Sequence, residues 1–152
     1  MINFKEGRLK LLEGILVGKM GYPLCFKEEL LKAHKVTIHA NPYNNKILYI
    51  QGIKENINKK LFSLTLKLDL NILDTVIIKL CDSQLSSQSW SYINEDLLKS
   101  DFLILEEIFL HELGFAPKKF STNKAVWKFK WGVFEVFSEN KSFSCAAYMR
   151  KL

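Results

Sequence analysis

A chain of 152 residues with 48% apolar and 25% charged residues has the profile of a packed globular protein, large enough to bury a core without metal or disulfide staples. Its formal charge of +6 is uneven: Lys plus Arg and Asp plus Glu number 14 each through Gly114, and eight cations against two acids follow. No apolar run approaches the ~20 residues of a membrane helix, and Lys5, Glu6, Arg8 and Lys10 interrupt any secretory segment near the start.

Three widely spaced cysteines, Cys25, Cys81 and Cys145, argue against a closed disulfide framework and for buried thiols in a reducing cytoplasm. No repeat, low-complexity tract or Pro/Gly-rich linker divides the chain. The expectation is a single α+β domain over residues 1–152, cytoplasmic and outside the membrane.

In chain order, Arg8 to Val17 reads as one or two short strands and Phe26 to His34 as a short N-terminal helix. Val36 to Ala40 and Lys46 to Gln51 flank Asn41-Pro42-Tyr43-Asn44-Asn45, which predicts a hairpin with a five-residue loop and Tyr43 at its tip. From Leu61 to Leu70, Phe62, Leu64, Leu66, Leu68 and Leu70 alternate with mostly polar residues, the pattern of an antiparallel strand buried on one face. Asn71 to Asp74 then reads as a turn into a strand over Thr75 to Leu80.

A polar loop from Asp82 to Ser91 holds Trp90. The strongest helix follows over Asn94 to Leu113, with Leu98, Phe102, Leu105, Phe109 and Leu113 on one stripe. Asn94 suits the N-cap, Gly114 the left-handed terminating position, and Pro117 prevents resumption. His111 suits the negative end of the helix dipole. Ala125 to Trp131 predicts a strand with Trp127, Phe129 and Trp131 on one face and Lys128 and Lys130 on the other, and Gly132 allows a bulge or bend before Val133 to Phe137. The last strand is expected over Phe143 to Met149. Together these elements predict an antiparallel sheet, a meander plus a C-terminal hairpin, packed against one long helix with a second short N-terminal helix.

Signatures of catalysis are weak. His111-Glu112 begins an H-E-x-x-H helix, but Phe115 stands where the second His belongs, and no C-x-x-C, P-loop, dinucleotide or G-x-S-x-G pattern is present. The expectation is no catalytic residue, no metal and no cofactor, although a Cys-His pair formed in space stays open. The Lys-rich hairpin suggests an acidic partner, either a protein or a nucleic-acid backbone. Strand parity assigns its aromatics to the core and its lysines to solvent, and a base-stacking platform is the competing account.

The order of signals from Phe62 to Leu80, through Ser89-Trp90 before an acidic helix, Leu113-Gly114 ending it, and Phe129-Lys130-Trp131-Gly132-Val133 opening a hairpin that closes near Tyr148, resembles small bacterial immunity proteins of polymorphic and contact-dependent toxin systems. That resemblance implies a non-enzymatic inhibitor that binds a cognate toxin domain. A basic nucleic-acid-binding domain is the alternative. By exposure logic the candidate partner-binding residues are Lys118, Lys119, Lys128, Lys130, Trp90 and Tyr43.

Overall fold

The computed structural model describes residues 1–82, 95–142 and 144–152. It is an α+β fold dominated by two antiparallel sheets, more sheet-rich than the sequence pattern led us to expect. The smaller sheet joins β1 (Ile2–Asn3), β2 (Arg8–Leu11) and β3 (Leu16–Lys19), with a short 3-10 turn at Leu12–Gly14 between the last two.

Among the described residues the larger sheet has eight strands. They are β4 (Thr37–Asn41), β5 (Asn44–Ile57), β6 (Lys60–Asp69), β7 (Ile72–Leu80), β8 (Lys118–Ser121), β9 (Lys124–Phe129), β10 (Gly132–Glu139) and β11 (Ser144–Lys151). Their spatial order is β4-β5-β6-β7-β11-β10-β9-β8. The chain thus lays down one meander, crosses through the helical region, and returns to add β11 against β7, with Arg150 opposite Thr75 and Ala147 opposite Ile78.

Helix α1 spans Glu28–Ala33 and helix α2 Glu95–Leu113. The expected stripe of α2, from Leu98 to Leu113, is buried in full and packs on β10 and β11. Gly114, at φ +80°, ends the helix and returns its N–H to the Leu110 carbonyl at 3.0 Å. The core is aromatic at its centre. Phe109 of α2 meets Phe4, Phe62 and Phe134 with ring centroids 5.7, 5.8 and 4.6 Å away. Phe4 precedes β2, so the small sheet closes the same core as α2 and lies on the same side of the large sheet.

Several boundaries differ from the sequence reading for identifiable reasons. The first hairpin closes with the two-residue turn Pro42-Tyr43, since Asn41 pairs with Asn44 and its Oδ1 accepts the Tyr43 N–H at 2.8 Å, replacing a five-residue loop with an Asx turn. The next turns are Asn58-Lys59 and Leu70-Asn71. All four residues have positive φ, the geometry that matches the sheet's twist, so β7 begins at Ile72 rather than after Asp74. Lys130-Trp131 is itself a turn, with Phe129 opposite Gly132, so the strand stops at Phe129 and Gly132 opens β10 without a bulge. Strands β1 and β8 and the outer half of β5 were not anticipated. Most of the loop holding Trp90, the Asn94 cap and Phe143 lie outside the described residues.

Candidate functional site

The sheet's alternation sorts the hairpin residues as the parity argument requires up to Phe129. Trp127 is buried on the core side, packs on Phe134 at 5.7 Å and donates its indole N–H to the Phe115 carbonyl at 2.8 Å, while Lys128 is exposed. Parity ends at the turn. Lys130 and Trp131 leave the strand there, and Trp131 swings onto the small sheet, where its indole N–H reaches the Phe4 carbonyl at 2.7 Å.

This arrangement opens a cleft of ≈ 480 Å³ between the small sheet and the β9–β10 turn. Lys5, Arg8, Lys19 and Lys130 line it, together with Glu6, Met20, Tyr22 and Trp131. Four cations from three separate stretches of chain therefore face one carboxylate. Glu6 lies 3.4 Å from Arg8, but both side chains are more than half exposed, so solvent screens most of that attraction and the cleft keeps a positive field. Lys19 sits 4.8 Å from the centre of the Tyr22 ring, a cation–π contact that leaves its charge available.

The seat of Trp131 in the cleft wall depends on Gly7. With φ at +66°, this residue carries no side chain, and a Cβ there would lie 2.6 Å from Trp131 Cγ and 2.8 Å from Cδ2. Trp131 is also stacked on Phe129, with planes 8° apart and centroids 5.5 Å apart. Its ring is thus engaged by the backbone of Gly7 and by Phe129.

A second, mostly apolar groove of ≈ 470 Å³ adjoins the first and shares Arg8, Lys19 and Tyr22 with it. Met1, Leu9, Val17 and Pro23 also line it, with Lys10 across from Val17 at its edge, and Val17 and Tyr22 are 57% and 55% exposed.

The expected site residues are scattered relative to this cleft. Lys130 is in it. Tyr43, 97% exposed, sits on a turn at the same end of the large sheet as the Leu70-Asn71 and Lys130-Trp131 turns. Lys118 lies on the edge strand β8, 5.6 Å from the Phe120 ring centre, and Lys128 projects from β9. Lys119 points to α2, where its Nζ meets Glu106 Oε1 at 2.8 Å. Trp90 lies outside the described residues.

Part of the C-terminal positive charge is also neutralised locally. Glu135, almost fully buried, holds Arg150 at 2.7 Å and Lys124 at 3.4 Å. The sequence reading missed Lys5, Arg8 and Lys19 because they sit in a stretch whose summed charge is zero. Only the fold carries them to Lys130. The available signal was Lys5, Arg8, Lys10 and Lys19 against Glu6 and Glu13 within the first twenty residues, a local excess hidden by the longer sum.

Burial and the nearby Asp101 carboxylate push the Cys145 thiol up to about 12, so it stays protonated at neutral pH. Cys81 Sγ has Lys54 Nζ at 3.6 Å. Among the described residues, no group of three His, Cys, Asp or Glu side chains gathers as metal ligands would, and no helix is long and apolar enough to cross a membrane. Compared with protein-family models, curated proteins and solved structures, the chain finds no match.

Proposed function

We propose that this protein is a non-enzymatic binding module that neutralises a cognate bacterial toxin domain by direct contact, as an immunity protein does. The observation that carries the reading is the basic cleft, in which Lys5, Arg8, Lys19 and Lys130 converge from distant parts of the chain against a single carboxylate. Like charges brought together at a surface repel one another, and a partner that supplies negative charge relieves that repulsion while gaining steering on approach. The resemblance of the C-terminal pattern to immunity proteins supports a toxin as that partner.

The nucleic-acid reading draws on the same cations but finds less support in the aromatics. A single-strand platform needs exposed ring faces for bases. Trp127 is 1% exposed, Trp131 is engaged by Phe129 and Gly7, and the exposed Tyr22 ring carries Lys19 4.8 Å from its centre.

Growth rescue tests the proposal. The protein domain encoded beside this chain is expressed alone and together with it; arrest alone and recovery with the chain, accompanied by a stoichiometric complex on gel filtration, is the expected result. A harmless neighbour, or arrest that persists despite soluble chain, would overturn it.

A further inference from the structure

The basic cleft and the apolar groove beside it are continuous, since Arg8, Lys19 and Tyr22 belong to the walls of both. One half offers cations. The other offers exposed apolar surface, with Val17 and Tyr22 each more than half open to solvent beside Pro23. Isolated apolar residues on a surface need no explanation, but a groove lined by them and joined end to end with a cluster of cations is selective for a ligand with both characters.

Neighbouring turns extend this surface. The Leu24 N–H bonds the Asn71 carbonyl at 2.8 Å, which sets the Leu70-Asn71 turn against the Tyr22–Leu24 segment. Leu70 is 63% exposed at φ +50°, a left-handed conformation that a γ-branched residue adopts at a cost. Its side chain adds exposed apolar surface beside the groove.

We infer that this composite groove is the docking site for an acidic segment of a partner protein in which Asp or Glu residues alternate with apolar ones. The carboxylates meet Lys5, Arg8, Lys19 and Lys130, and the apolar side chains cover Val17 and Tyr22. Charge complementarity selects an acidic ligand, and the aliphatic surface of Val17 and Pro23, beside a Tyr22 ring already covered by Lys19, favours apolar side chains over stacked bases. The inference rests on the protein-binding reading above and adds the place and chemistry of contact.

The test uses fluorescence anisotropy on the full chain with three labelled probes: a peptide of about ten residues mixing Asp and Glu with Leu and Phe, an all-Glu peptide of equal length, and oligo(dT). The mixed peptide is expected to bind most tightly. Lys19→Glu combined with Lys130→Glu should weaken it on the order of 30-fold, as reversal of paired charges does. Val17→Asp should weaken it about tenfold, while Lys128→Glu, outside the groove, should leave it unchanged; circular dichroism confirms that each variant is folded.

Tighter binding of oligo(dT), equal binding of the mixed and all-Glu peptides, absence of binding, or an equal effect of Lys128→Glu would each overturn the inference. The same variants in the growth assay separate the two ideas. Rescue that survives Lys19→Glu with Lys130→Glu leaves the toxin-neutralising reading standing and removes the groove from it, whereas failure of the wild-type chain to rescue removes that reading whatever the peptides do.

Discussion

Trp131 donates its indole N–H to the carbonyl oxygen of Phe4 at 2.7 Å, across 127 residues of sequence. The bond ties the turn between β1 and β2 to the hairpin turn, and the Trp131 it holds lines the basic cleft. Replacing Trp131 by Phe keeps much of the packing and loses the donor, leaving a part-buried carbonyl without its partner. The expected cost is about 1–2 kcal/mol in urea unfolding. Gly7→Ala should cost about 1–3 kcal/mol, because the new methyl meets the Trp131 ring and the residue must hold a positive φ. Equal stability of either variant with the wild type would show that the tie does not hold the cleft.

Cys145 gives the protein an alkaline weakness. Its folded-state pKa, about 12, is raised above the ordinary thiol value of 9.0, so the stability linked to it is fully present below pH 9 and drains away as pH rises toward 12. The loss approaches about 1.4 kcal/mol per pH unit within that window. Tyr148, raised chiefly by burial, acts in the same direction. Urea midpoints at pH 8, 9, 10 and 11 should therefore fall more steeply for the wild type than for Cys145→Ala. Parallel curves would contradict the assignment.

The Lys119–Glu106 contact predicts an asymmetric pair of substitutions. Glu106 is largely buried, and among the described residues its Oε2 has no hydrogen-bond partner, so Lys119 at Oε1 compensates the carboxylate. Lys119→Ala should destabilise the fold by about 1–2 kcal/mol, a figure reduced because the lysine is more than half exposed. Glu106→Leu in the Lys119→Ala background should recover that loss, since it removes the buried charge. Thermal melts of the single and double variants decide the matter, and a double variant no better than Lys119→Ala would refute it.

The Leu70-Asn71 turn holds room for improvement. Asn tolerates positive φ better than Leu does, so Leu70→Asn should stabilise the chain by about 0.5–1 kcal/mol. If Leu70 anchors a partner, the same change should weaken binding while strengthening the fold. A loss of stability would remove the strain argument.

The sequence carried the regular elements better than their junctions. The α2 stripe from Leu98 to Leu113 and the alternation from Phe62 to Leu68 are periodic signals over many residues, and both are buried as their spacing requires. Two-residue turns such as Asn58-Lys59 and Leu70-Asn71 carry one Asn each and no glycine, so their composition announced a turn without fixing its two-residue, positive-φ geometry. Strand β8, with all four residues exposed, has no buried side to leave a pattern. The cleft was the least legible feature. Its members are ordinary exposed lysines, an arginine and a turn tryptophan, and their grouping follows from a small sheet docking beside a hairpin far along the chain.

The distance between Phe4 and Trp131 along the chain also has a temporal side. On a ribosome, Lys5, Arg8 and Lys19 emerge long before Lys130 and Trp131, so the small sheet waits for its mate through the synthesis of most of the protein. A nascent chain therefore shows no assembled cleft until nearly all of the molecule has been made.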